Sequence, residues 1–199
     1  MTTVALSGIL SAVTILHIDA ATIAHSITTV SDRKLYAVPE RRVPRAAFVP
    51  AARSLHLVDV ENLMGGPELG GAALREALAG YRTSAPVSDG DHVIIGANPQ
   101  LGLSAKTAWP GARLVVRGGP DGADIALLEA VREVEFIAAR YDQIVVGSGD
   151  GVFEVVVREF RSRGLAVGVV SLRRGLSYTL GTSASFVRLM PEIEIEVAL

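Results

Sequence analysis

From Ser54 onward the chain alternates short apolar runs with stretches of helical period, and that alternation constrains the fold more than any other feature. "LHLVDV", "DHVIIGAN", "ARLVVRGG", "DQIVVGSGD" and "LAVGVVSL" read as strands, with "ASFVRL" as a candidate sixth. Between them, Leu74, Ala77, Leu78 and Tyr81 fall at i, i+3, i+4 and i+7, one face of a helix. Leu127, Val131, Val134 and Ala138 form a similar stripe in "DGADIALLEAVREVEFIAARY", which the period predicts to be one long helix. "PQLGLSAKTAWPG" reads as a short helix or loop. In "VFEVVVREFRSRG", Phe153, Val156, Val157 and Phe160 share a face, and Gly164 closes the helix. Near-continuous apolar strands separated by helices imply a parallel sheet covered on both faces. The expected fold class is therefore α/β, a three-layer α/β/α sandwich with a central, mainly parallel sheet and right-handed crossovers.

Composition narrows the function classes. The 199 residues are 49% hydrophobic, enough for one domain with a full core and additional tails. No apolar run reaches the roughly 18 residues of a membrane helix, so no membrane partner is expected. Cysteine is absent, which excludes disulfides and thiolate metal sites and suits a reducing cytoplasm, the expected location. A net charge of −2 is not the footprint of a protein held on nucleic acid by its global field. An enzyme that meets nucleic acid at a local, metal-bearing site remains compatible with it. Lys34 and Lys106 are the only lysines, so nearly all positive charge is arginine.

Three segments are expected. Residues 1–53 are expected to form an N-terminal extension, poorly ordered or arm-like, first apolar and Thr-rich, then rich in Pro and Arg. Arg41, Arg42, Arg45 and Arg53 make it a candidate basic arm, and its apolar start a candidate packing surface for an oligomer. Residues 54–190 form the α/β domain, and 191–199 a C-terminal tail.

Three acidic motifs stand out. In "VDVEN", Asp59 ends a strand and Asn62 follows in the turn. In "GGPDGADIALL", Asp121 precedes a helix and Asp124 lies in its first turn. In "IVVGSGDGVF", Asp150 follows a strand through Gly147, Ser148 and Gly149. Helix capping and the helix dipole account for Asp121, Asp124 and Asp150 one at a time. Together they point further, because parallel α/β topology delivers all three segments to the carboxyl edge of the sheet. Carboxylates converging without a basic partner repel and raise one another's pKa, which a divalent cation relieves. Oxygen donors suit Mg²⁺ or Mn²⁺. His17, His25, His56 and His92 show no ligand spacing for zinc. The P-loop, the dinucleotide-binding glycine fingerprint and the nucleophile elbow are all missing.

"VDVENL", "GADIALL" and "IVVGSGDGVF", in this order and spacing, resemble the NYN branch of the PIN-like ribonuclease superfamily, over about Leu55 to Leu189. The resemblance implies a parallel α/β/α sandwich and a metal-dependent ribonuclease. It assigns catalytic roles to Asp59, Asn62, Asp124 and Asp150, with metal ligation by Asp59, Asp124 and Asp150; Asp121, close in sequence to Asp124, is a further candidate metal residue beyond that match. Val152 stands where the family's S-G-D-x-D-F pattern carries a second acid, and Asp121 or Glu61 is the candidate replacement. Asn62, Ser148 and Arg117 are the candidate substrate contacts, Ser148 toward phosphate or water and Arg117 toward phosphate. The expected activity is hydrolysis of RNA phosphodiester bonds by metal-activated water, with RNA as partner and DNA as a second candidate. Two alternatives stand beside it. One is a non-catalytic RNA-binding or interaction module on the same fold; the other is a small-molecule enzyme on a Rossmann-like sheet.

Overall fold

The computed structural model describes residues 53–66 and 70–191. The extension and its basic arm, apart from Arg53, lie outside the described residues, as does the tail beyond residue 191. Six strands are present: β1 (Ser54–Asp59), β2 (His92–Ala97), β3 (Arg113–Val116), β4 (Gln143–Gly147), β5 (Ala166–Ser171) and β6 (Phe186–Leu189). They form one sheet in the order β3-β2-β1-β4-β5-β6, and all five pairings are parallel. "ASFVRL" therefore does supply the sixth strand.

The helices are α1 (Val60–Met64), α2 (Gly70–Ser84), α3 (Pro99–Ala108), α4 (Gly122–Ala130), α5 (Val134–Ala138), α6 (Glu154–Ser162) and α7 (Tyr178–Ser183). Strand alternation sorts the side chains into two cores. Val58, Ile95, Val145 and Val170 face Leu74, Leu78 and Tyr81 of α2 and Leu101 of α3. Leu57, Ile94, Val146 and Val169 face Leu127 of α4 and Val157 and Phe160 of α6 on the other side. Each layer buries one face of its helices, which is why neither the helices nor the sheet stands alone. The stretch beginning at Pro99 is a helix because Asn98 caps it, accepting from the Leu101 N–H at 2.9 Å, and Pro99 occupies the first turn.

The single long helix expected over 121–141 is instead two. Helix α4 ends at Ala130, and α5 restarts at Val134. An unbroken helix of that length spans about 30 Å, whereas strands of four to six residues cross about 13–20 Å. The chain must turn to re-enter the sheet at Gln143. The break re-phases the stripe: Leu127 and Val131 remain buried, and Ile137 replaces Val134 and Ala138 as the buried side chain of the second half. Among the described residues no helix is long and apolar enough to cross a membrane.

The sheet order fixes the place where a site can form. Connections from β1 run outward through β2 to β3, and the chain then crosses back to place β4 on the other side of β1. β1 and β4 are adjacent, with Val58 beside Gly147. Loops leaving their carboxyl ends diverge and open a crevice between them.

Candidate functional site

Asp59 ends β1 and is the N-cap of α1, with extended backbone (φ −89°, ψ 99°). Its Oδ1 accepts from the Asn62 N–H at 3.2 Å, and its Oδ2 accepts from Ser148 Oγ at 3.1 Å. The Asn62 side chain then bridges to the turn after β4, its Oδ1 accepting from the Gly149 N–H at 2.8 Å. Ser148 Oγ also accepts from the Asp150 N–H at 3.1 Å. "VDVEN" and "GSGDG" are thus bonded into one unit across the switch point. Gly149 is required by close approach: a Cβ there would collide with the Gly175 carbonyl and Ser171 Oγ. The Gly149 carbonyl in turn accepts from the Ser177 N–H at 2.7 Å, which fastens the turn after β5 to the same unit.

Around this unit a cavity of about 460 Å³ is lined by Asp59, Glu61, Asp121, Asp124 and Asp150, and by Asn62 and Arg174. The three acids expected to converge do so, and the two candidate replacements for the missing acid join them. Asp59 is buried, and its pKa is pushed up to about 8, first by burial and then by the charge of Asp124. Asp124 is also shifted up, first by burial, with the charges of Asp150, Asp121 and Glu61 adding to it and a bond to Asp59 opposing. Its Oδ1 is buried with no hydrogen-bond partner.

Individual assignments vary in outcome. Asp150 caps the 3₁₀ turn Gly151–Phe153, its Oδ1 accepting from the Val152 N–H at 2.9 Å, while its charge still acts on Asp124. The capping and the clustering are therefore both real. Asp121 holds the N-cap position of α4 but makes no capping bond, and its backbone is left-handed at φ 53°. Its carboxylate is left for the cavity. Glu61 Oε1 accepts from the Asn98 N–H at 2.6 Å, which orients α3. Ser148 is fully buried with both oxygen roles used, so it positions Asp59 rather than reaching substrate. Arg117 pairs with Glu129 at 2.9 Å and lines a separate hollow with it. The cation that does line the acidic cavity is Arg174, in the unpatterned stretch "SLRRGLS", where no periodicity marks it.

Among the described residues no group of three or more His, Cys, Asp or Glu side chains is placed to hold a metal ion as it stands; the carboxylates are spread along the cavity lining. Their chemistry nonetheless suits a hard divalent cation. The donors are all oxygens, one buried carboxylate oxygen has no partner, and among the described residues none of the carboxylates is ion-paired with Arg174, the cation on the cavity lining. His56 is buried against Tyr81, and His92 bonds the Tyr141 hydroxyl, so neither belongs to the cluster.

No protein-family model and no curated protein sequence matches the chain. A solved structure of a protein of unknown function from Vibrio parahaemolyticus is similar in fold, with a TM-score of 0.51 and 18% identity. The match covers 71% of this chain and 94% of that one. At this identity the likeness shows a shared α/β architecture and nothing of activity.

Proposed function

We propose that the chain is a metal-dependent nuclease that hydrolyses phosphodiester bonds, with RNA as the preferred substrate. The carrying observation is the convergence of Asp59, Asp124 and Asp150 at the switch point, with Asp124 Oδ1 buried and unpartnered. These three carboxylates are the ligands, and Asp121 and Glu61, on the same cavity lining, are the acids available to stand in for the one absent at Val152. A bound Mg²⁺ or Mn²⁺ supplies Lewis acidity, lowers the pKa of coordinated water and offsets charge developing on the phosphate.

The chain's own residues hold this arrangement ready. Ser148 and the Asn62 N–H fix the two oxygens of Asp59, and Asn62 ties Asp59 to the Asp150 turn. The Asn62 amide NH₂ makes no bond among the described residues and lines the cavity, a neutral donor for water or substrate. Asp59 must lose its proton to act as a ligand, so cation loading weakens as the pH falls below about 8.

The test is cleavage of end-labelled single-stranded RNA with Mn²⁺, with Mg²⁺ and with chelator, beside Asp59→Asn. The expected result is metal-dependent cutting, abolished by the substitution while the fold persists. Wild-type rates in the variant would remove Asp59 from the ligand set. One observation favours a second reading, a binding module that does not cut: Val152 is 41% exposed at the position where the resembled pattern has an acid. That reading predicts RNA binding unaffected by chelator, with no cleavage.

A further inference from the structure

The acidic cavity has a cationic wall. Arg174 lies in the short 3₁₀ turn Arg173–Gly175, closed by the Gly175 N–H bonding the Leu172 carbonyl at 3.2 Å. Two further contacts fix this turn. Gly149 packs directly against the Gly175 carbonyl, and Ser177 N–H bonds the Gly149 carbonyl. The guanidinium lies against Gly65, where a Cβ would collide with it. Gly65 is also the left-handed C-cap of α1, at φ 89°, which is what favours glycine there.

Five carboxylates share the cavity lining with Arg174, yet among the described residues it makes no ion pair or hydrogen bond with any of them. Arg117, Arg132, Arg158 and Arg163 all pair with glutamates elsewhere on the surface. An exposed guanidinium on a fixed backbone turn beside an acid cluster, with its donors unused, is arranged to receive an anion that the acids alone would repel. We infer that Arg174 is the phosphate-contacting residue of the site, gripping a non-bridging oxygen of the nucleic-acid backbone from its place on the lining of the carboxylate cavity. The inference rests on the nuclease reading for its substrate, but it concerns a side chain outside the carboxylate cluster.

The experiment compares wild type, Arg174→Ala and Arg174→Lys in steady-state cleavage of a short fluorescein-labelled single-stranded RNA with Mn²⁺, over a salt series. A charge-assisted contact predicts a KM raised about tenfold or more in Arg174→Ala, with a smaller change in kcat. Lysine should restore part of the loss, since it keeps the charge but not the two-pronged geometry. The slope of log KM against log salt should fall by about one phosphate contact. A KM within twofold of wild type with an unchanged salt slope would overturn the inference. So would a loss that lysine does not relieve and that tracks a fall in Mn²⁺ affinity, since that is the signature of a structural role. If wild type does not cut, fluorescence anisotropy with the same RNA decides. Binding weakened about tenfold by Arg174→Ala upholds Arg174 and ends the catalytic reading; no binding by wild type ends both.

Discussion

His56 is fully buried in β1, its Nδ1 bonded to the Tyr81 hydroxyl at 2.8 Å and its Nε2 3.7 Å from Asp91 Oδ2. Burial lowers its pKa to about 4, against an opposing pull from Asp91. Below the ordinary histidine value of about 6.5 the unfolded chain takes up a proton that the folded chain refuses. This residue's contribution to stability is therefore intact at neutral pH and is lost as the pH falls from about 6.5 toward 4, at up to about 1.4 kcal/mol per pH unit. Asp59 and Asp124 act in the opposite sense, because their raised pKa values favour the fold as the pH falls. Urea unfolding of wild type and His56→Gln at pH 7 and pH 5 separates the two. The wild type should lose more stability than the variant between those values, and parallel losses would show that His56 does not titrate this way. At this scale the sequence was informative about acids and silent about partners. Asp59, Asp124 and Asp150 were legible because chain order and topology together place them. Ser148 was not, because which of its hydrogen bonds are already used depends on Asp59 and the Asp150 N–H meeting in space.

The "GSGDG" turn joins three parts of the site: Asn62 bonds it from α1, Asp150 leaves it, and the Arg174 turn rests on it. Gly149→Ala inserts a methyl group against the Gly175 carbonyl and Ser171 Oγ, with no flexible side-chain end to yield on the backbone side. Overpacking of this kind costs roughly 1–3 kcal/mol, and the required shift displaces Asp150 and Arg174 together. The variant should unfold at lower temperature and, on the proposed nuclease reading, lose both cleavage and RNA affinity. Wild-type cleavage in a destabilised Gly149→Ala protein would show that the turn supports the fold without placing the site. Strands and amphipathic helices were legible here because their periods survive in the fold, as with Leu74, Ala77, Leu78 and Tyr81 on α2. The break between α4 and α5 was not, since it is set by the width of the sheet rather than by residues 131–133. Helix α7 was missed for a related reason: "SYTLGTS" buries only Leu180, too little for a pattern.

For the whole molecule, the strand order creates the crevice, and the crevice gathers carboxylates whose raised pKa values work against the fold near neutral pH. Asp59 carries a pKa of about 8 in the folded chain against about 4 unfolded, so near neutral pH the cluster works against folding. Active sites commonly carry such a cost. The sheet's existence and parallel sense could be read from the apolar runs, and the arrival of three acids at one edge followed from them. The order β3-β2-β1-β4-β5-β6 could not, because strand neighbours are chosen by packing that no single segment encodes. The central claim is that this cluster exists to hold a divalent cation, and thermal unfolding of wild type and Asp59→Asn, in chelator and in Mn²⁺, tests it most directly. Asparagine keeps the capping oxygen while removing the charge. In chelator the variant should melt above wild type, by roughly 2–4 °C for each kcal/mol relieved. Mn²⁺ should raise wild type strongly and the variant little, reversing their order. If Mn²⁺ moves neither protein and wild type is already the more stable in chelator, the acids are structural and the metal-centre account is wrong.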